Sequence, residues 1–331
     1  MSDRLNTRQP GTITSQPERI EDIALGEAQI QARAAWYYYI GGLTQQEIAD
    51  KLGITRLRVN RIVGQARADG LVHVDIMIPL ANCVAYEERL KEHYGLKEVS
   101  VVPAVDDYDM LLQIIGEAAS VMLQPKLRDG IKLGLSWGRS LSAVVKRLKP
   151  VRYANSRVTG LMGGMTRGSA ANTFEVCSEF ARVMGSECSY VCAPIFCPSE
   201  SSRETLISHL GIADVFKHAA NCDVAVVECG KLTSKLLVNC RDIDYSAVME
   251  LHALGAVGGL LGTFLDAKGA VVDHPMNRKV MAMDPALLRA VPHSILIAGG
   301  RGKSEIVRAV LNGGYVNSLV TDASIAEALL A

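Results

Sequence analysis

From residue 96 onward the chain repeats one arrangement: a short apolar run, then an amphipathic stretch of helical period. V-S-V-V-P (99–103) precedes a helical pattern over 109–123, and K-L-G-L-S (132–136) precedes one over 139–148. R-V-T-G-L-M-G-G (157–164) leads to 172–184, Y-V-C-A-P-I (190–195) to 203–219, and D-V-A-V-V-E-C-G (223–230) to 245–253. S-I-L-I-A-G-G (294–300) and V-N-S-L-V-T (316–321) precede helical patterns over 303–312 and 323–330. Strands that alternate with helices join through crossovers and build a parallel sheet with helices on both faces. Only 5% of residues are aromatic and 29 are glycine, which suits Ala/Val/Leu/Gly-rich α/β layers better than an all-β sandwich. Several of the strands run directly into glycines, and the carboxyl edge of such a sheet is where ligands bind.

A total of 331 residues is long for one core, and the texture before residue 80 differs. Residues 1–25 mix Ser, Thr, Pro, Gln and charge without periodicity and read as a flexible tail. Residues 26–79 read as a small helical unit closed by the alternating strand V-H-V-D-I-M-I (72–78). Residues 80–95 read as a linker helix, and 96–331 as the α/β domain. The apolar runs are far shorter than the roughly 20 residues of a membrane span. The N-terminus has no hydrophobic signal core, so the expected location is the cytoplasm. Eight cysteines form no C-x-x-C pair and read as free thiols; neither a metal site nor a cofactor is expected.

Within the first unit, Q-Q-E-I-A-D-K-L-G-I-T-R-L-R-V-N-R-I-V-G (45–64) has the spacing of a helix-turn-helix. Ile48, Ala49 and Leu52 give the first helix an inner face, and Gly53 permits the positive φ of a tight turn. Thr55 can cap the second helix, whose Val59, Ile62, Val63 and Ala66 recur at i, i+3, i+4 and i+7. Arginines stand at 56, 58, 61 and 67 with no acid from 55 to 67, whereas the whole chain balances 35 basic against 35 acidic residues. Positive charge is therefore concentrated on one helix, which suits the major groove of double-stranded operator DNA. Gln45, Thr55, Arg56, Arg58, Asn60 and Arg61 are the expected DNA contacts, Arg to guanine or phosphate and Asn to adenine. Trp36 and Tyr37–Tyr39 are expected in the packing of the preceding helix.

In the second unit, L-G-L-S-W-G-R-S-L (133–141) reads as strand, turn and helix start. Ser136, Gly138 and Ser140 would expose backbone N–H groups to an anion, with Arg139 as a nearby cation. A-G-G-R-G-K-S (298–304) falls one glycine short of a P-loop, since Ile297 stands where glycine is needed. A small phosphate ester fits these loops better than a nucleotide.

Taken in order, five motifs resemble the SorC family of sugar-binding transcriptional regulators, whose effector domain is shared with DeoR-like regulators. They are G-L-T-Q-Q-E-I-A-D-K-L-G-I-T-R, S-W-G-R-S, G-A-V-G-G-L-L-G-T-F-L-D (255–266), A-G-G-R-G-K (298–303) and the C-terminal G-G-Y-V-N-S-L-V-T-D-A-S-I-A-E-A-L-L. The A-W-Y-Y-Y-I-G-G-L-T-Q-Q stretch is similar to the erythritol and polyol branch. The resemblance implies a winged helix-turn-helix followed by a Rossmann-like phosphosugar-binding domain; because a single hairpin makes few contacts, a homodimer or homotetramer is expected. It implies phosphate contacts from Gly138, Arg139, Ser140 and Lys303, and a sugar side lined by Gly163, Gly164, Glu175, Gly230 and Asp266. Two departures stand out: Ser140 where the family usually has Thr, and E-C-G (228–230) where it often has G-I-G. The second puts Glu228 where backbone would approach a ligand, and so bears on the effector's phosphorylation. The resulting expectation is a regulator whose operator affinity is set by a phosphorylated sugar or polyol. The competing reading is an isomerase- or deaminase-like enzyme with an added N-terminal module, drawing on Glu175, Glu228, Asp266 and His274.

Overall fold

The computed structural model describes residues 17–68, 80–165, 172–232 and 244–331. The chain divides into two compact units, Met1–Met77 and Ile78–Ala331. Among the described residues no helix is long and apolar enough to cross a membrane.

The first unit holds α1 (Pro17–Tyr39), α2 (Gln45–Leu52) and α3 (Arg56–Ala68). α1 starts at Pro17, inside the stretch assigned to the tail. Proline is favoured at a first helical position. α2 opens with a capping box: Thr44 Oγ1 accepts the Glu47 N–H at 3.3 Å, and Glu47 Oε2 accepts the Thr44 N–H at 2.8 Å. Gly53 ends α2 at φ 63°, a left-handed turn that any Cβ would strain. Ala34, Ile48, Ala49, Val59, Ile62 and Val63 form the core, so both expected inner stripes are in place. The aromatic cluster divides. Tyr37 and Tyr39 pack against this core, whereas Trp36 is 57% exposed and is not part of it. The expected strand 72–78 lies outside the described residues.

Among the described residues, the second unit is built on seven parallel strands in the order β1-β9-β8-β5-β2-β3-β4. Their ranges are β1 Glu98–Val102, β2 Lys132–Leu135, β3 Arg157–Gly160, β4 Glu187–Ser189, β5 Val224–Lys231, β8 His293–Ile297 and β9 Ser318–Asp322. Successive residues of β5 enter opposite layers: Ala225 and Val227 join one core cluster, Val224 and Val226 the other. Strands buried on both faces read as continuous apolar runs, which is why most were visible in the sequence. One face carries α5 (Tyr108–Leu123), α6 (Arg139–Val145) and α7 (Thr173–Met184). The other carries α4 (Leu80–Tyr94), α10 (Tyr245–Ala253), α12 (Ser304–Asn312) and α13 (Ala323–Leu330). Between them in sequence come α8 (Glu200–Ser208), α9 (Leu210–Ala220) and the short α11 (Pro275–Arg278).

Four features depart from the expected elements. The linker helix is α4, packed on β1 and α13 with Leu90 fully buried and Glu87 Oε1 accepting the Val101 N–H at 2.8 Å. The run 190–195 is not a strand, because β4 precedes it and Pro194 has no N–H for a ladder. The helix over 203–219 is two helices, broken where His209 adopts extended backbone just before Gly211. The glycine-rich motif at 255–266 is an antiparallel hairpin, β6 (Ala256–Leu260) and β7 (Thr263–Asp266), with β6 paired to the end of β5. Its turn residues Leu261 and Gly262 have φ 50° and 78°, the positive values that a two-residue hairpin of the primed type needs.

The chain moves outward from β2 through β3 to β4, then crosses back to β5 and proceeds through β8 and β9 in the opposite direction. The reversal falls between β2 and β5. At that switch point the two crossovers leave in opposite directions and open a crevice at the strands' carboxyl ends.

Candidate functional site

A cavity of about 640 Å³ lies at that crevice. The end of β2 contributes Ser136–Arg139, the end of β5 Glu228–Lys231, and the loop after β8 Lys303. The hairpin covers it with Gly259, Leu261, Gly262 and Phe264, while Tyr108, Met162 and Ile195 complete the wall. Mostly apolar walls with a few convergent polar groups are the usual form of a small-molecule site. Leu261 faces it with a backbone conformation a branched residue rarely adopts.

Each polar group is held by the fold. Ser136 is buried, and its Oγ accepts the Glu228 N–H at 3.0 Å, tying β2 to β5 beyond their ladder. The Trp137 indole donates to the Gly163 carbonyl at 3.2 Å, which fixes the ring in the wall. Gly300 donates to the Asp322 carboxylate at 2.6 Å, so the loop that carries Lys303 is pinned to the end of β9. Gly138 begins α6 at φ 147°, and a Cβ there would stand 2.5 Å from the Glu228 carboxylate oxygens.

The electrostatics centre on Glu228. Its Oε1 accepts the Leu141 N–H at 2.9 Å, the Ser140 N–H is turned to the same carboxylate, and Lys303 Nζ stands 3.9 Å from Oε2. Burial pushes the Glu228 carboxyl above the ordinary range, opposed by the Lys303 charge and by the Leu141 and Ser140 hydrogen bonds. For Lys303, burial works most strongly against the ammonium, but Glu228 together with Cys229 and Tyr108 outweighs it and raises the group above its ordinary value. Burial also pushes the neighbouring Cys229 thiol up to about 11, which keeps it a poor nucleophile. Because folding raises the Glu228 pKa, its contribution to stability is greatest below the unfolded value near 4.5 and declines as pH rises through the folded one. Glu228→Gln is expected to flatten that part of the stability–pH profile. Denaturant unfolding at a series of pH values from 4 to 8 checks it, and an unchanged profile would remove Glu228 as its source.

Of the ten expected effector residues, Ser136, Gly138, Arg139, Gly230 and Lys303 line the cavity, and Ser140 reaches it through Glu228. Arg139 is an ion-pair partner of Asp109, with its guanidinium 5.1 Å from the Tyr108 ring centroid. Gly163, Gly164, Glu175 and Asp266 do not line it. Gly163 acts indirectly, by accepting from Trp137 and Thr173. Gly164 bridges to 193–195 through backbone bonds. Glu175 sits in the first turn of α7, and the Asp266 carboxylate caps the turn at Lys268 and Ala270. Nor do the four acid–base candidates converge. His274 caps α11, accepting the Met276 N–H on Nδ1 while Nε2 meets Glu250 at 3.1 Å. Tyr108 and Lys231 also line the cavity and carried no signal in the sequence beyond their own chemistry, whereas Trp137, Leu261 and Phe264 lie inside the quoted motifs but had no role assigned to them.

In the first unit, the exposed arc of α3 carries Arg56, Leu57, Asn60 and Arg61, and Leu57 is 79% exposed. Gln45 at the start of α2 reaches Asn60 at 3.4 Å, so the two amides share that face. Thr55 accepts the Arg58 N–H at 3.2 Å and is the helix cap. Arg58 lies off the arc and pairs with Glu27 of α1 at 2.9 Å.

A helix-turn-helix with a basic, exposed second helix, joined to an α/β domain with a cavity at its sheet's switch point, is the make-up of a ligand-responsive DNA-binding regulator. The sugar-binding domain family model matches residues 79–331, and residues 36–68 match region 4 of sigma-70. The chain belongs to the SorC family of sugar-binding transcriptional regulators. It is 30% identical over 313 residues to the erythritol catabolism regulatory protein EryD of Brucella abortus, covering 93% of this chain and 98% of that one. It is 31% identical over 323 residues to the transcriptional regulator LsrR of Escherichia coli O139:H28, covering 96% and 99%. The full-length sorbitol operon regulator SorC of Klebsiella pneumoniae superposes with a TM-score of 0.71 at 25% identity, covering 92% of this chain and all of that one. These relatives are regulators and not enzymes.

Proposed function

We propose that this regulator controls a carbohydrate or polyol catabolic operon in the cytoplasm, its operator affinity set by a small sugar or polyol in the cavity at the β2/β5 switch point. The cavity itself carries the reading: about 640 Å³ of mostly apolar wall with Ser136, Glu228, Lys231 and Lys303 as convergent hydrogen-bonding groups. The named roles of EryD and SorC support the ligand class. The phosphorylated form expected from the sequence has to share the first N–H groups of α6 with the Glu228 carboxylate. One helix-turn-helix makes few contacts, so a homodimer or homotetramer on half-sites about 10 bp apart, or a multiple of that, is the expected assembly.

A ligand that prefers one of two states by about 1–3 kcal/mol changes operator affinity roughly 5- to 150-fold. Operator binding titrated against a panel of sugars, polyols and their phosphate esters tests the proposal. A panel with no effect of at least fivefold would sink it. Lys303→Met is expected to abolish the response while leaving effector-free operator affinity within about twofold. Loss of effector-free binding as well would mark Lys303 as part of the packing.

A further inference from the structure

The first N–H groups of α6 are met by a carboxylate of the chain itself. Glu228 Oε1 takes the Leu141 N–H, and the Ser140 N–H is turned to the same group. The space is filled as well as the hydrogen bonds, since even a Cβ on Gly138 would collide with both carboxylate oxygens. Of the three cations that line the cavity among the described residues, Arg139, Lys231 and Lys303, two are engaged within the protein. Lys303 stands against Glu228, while Arg139 is paired with Asp109, lies beside the Tyr108 ring and has 55% of its side chain exposed. A phosphate monoester arriving here would bring nearly two negative charges against a buried carboxylate that already holds the Leu141 N–H.

An uncharged polyhydroxylated ligand meets no such conflict. A carboxylate offers about four acceptor sites and Glu228 spends only some of them on the loop, leaving others for ligand hydroxyls. Lys231 and Lys303 supply donors. Trp137, fixed by its bond to Gly163, and Phe264 in the hairpin offer flat apolar faces to the C–H side of a carbohydrate. We infer that the effector is an unphosphorylated sugar or polyol, with the Glu228 carboxylate standing where a phosphate would otherwise bind and accepting ligand hydroxyls in its place. This inference rests on the cavity being the effector site.

Thermal unfolding of the full chain tests it, with free tetritols, pentitols, hexitols and aldoses, their phosphomonoesters, and inorganic phosphate as ligands. At a ligand concentration near 100 times Kd the expected rise in Tm is about 5 °C or more. Wild type is expected to rise with a free compound and not with its phosphomonoester or with inorganic phosphate. Glu228→Gly is expected to gain a rise with inorganic phosphate. Glu228→Ser, which keeps a hydroxyl for the Leu141 N–H, carries the same expectation should the glycine variant fail to fold. A wild-type rise with phosphomonoesters and not with free compounds overturns the inference, because the carboxylate would then yield to phosphate. So does inorganic phosphate leaving both variants unmoved. If no organic compound acts on wild type but inorganic phosphate stabilises only the Glu228 variants, the carboxylate's occupation of the loop stands and the sugar reading of the cavity falls.

Discussion

Gly138→Ala is expected to cost about 3 kcal/mol of folding stability, the sum of a backbone cost and an overpacking cost. At φ 147° and ψ 170° Gly138 occupies a region that is essentially closed to residues with a side chain. The added methyl would also stand 2.5 Å from both Glu228 carboxylate oxygens. That carboxylate is the far end of a side chain, but it is buried, held by the Leu141 N–H and faced by Lys303, so it yields only by breaking those contacts. Gly130→Ala is the control, because Gly130 has φ 73° and its Cβ would meet nothing within 4 Å. It is expected to cost about 1 kcal/mol, from the backbone alone. Denaturant unfolding measures both, and equal costs would show that Glu228 does not crowd the loop. The double variant Gly138→Ala/Glu228→Gly is expected to recover about 1 kcal/mol relative to the sum of the two single changes, since the residues are in contact.

That pair shows how much of the site the sequence reveals. A strand that is buried on both faces is spelled out locally, and β2 runs visibly into the S-W-G-R-S turn. The loop's role as a cluster of N–H donors follows from that spelling. The E-C-G departure at 228–230 is visible too, but its consequence is three-dimensional, because β5 lies beside β2 only through the crossover that follows β4. Tyr108, Trp137 and Phe264 come from three separate parts of the chain, so no spacing rule connects them. The hairpin β6–β7 was hidden by its composition: A-V-G-G-L-L-G-T reads as loop, since glycine weakens any strand signal. Here those glycines have a packing reason, as a Cβ on Gly258 would stand 2.4 Å from the Gly230 carbonyl oxygen. Close approach of β6 to β5 thus requires the residue type that conceals the strand. Asp266 and Glu175 show the opposite error. Each has the chemistry of a ligand group, but Asp266 is committed to a turn and Glu175 sits in the first turn of α7, away from the cavity.

The same distinction between a residue's chemistry and its placement separates the arginines of α3. Val59, Ile62, Val63 and Ala66 point into the core, which leaves residues 56, 57, 60 and 61 on the outward arc. Arg58 falls at the boundary and is spent on Glu27. Arg61→Ala is expected to reduce the slope of log K against log salt by about 0.9 for each protomer bound if it contacts phosphate. If it instead pairs with a guanine, the loss is about 1–3 kcal/mol, confined to sites that carry that base, with little change in slope. Arg58→Ala is expected to change the slope by less than half as much, because its charge is already answered within the protein. The exposed Glu27 pair it removes is worth at most about 1 kcal/mol of stability. Operator binding measured from 50 to 200 mM salt for wild type and both variants decides the matter. A flattening by Arg58→Ala equal to that of Arg61→Ala would mean that the Glu27 pair opens on DNA and that the recognition surface is wider than the exposed arc. No change from Arg61→Ala in either slope or base preference would remove the second half of that arc from the interface and leave Arg56 and Asn60 to carry it.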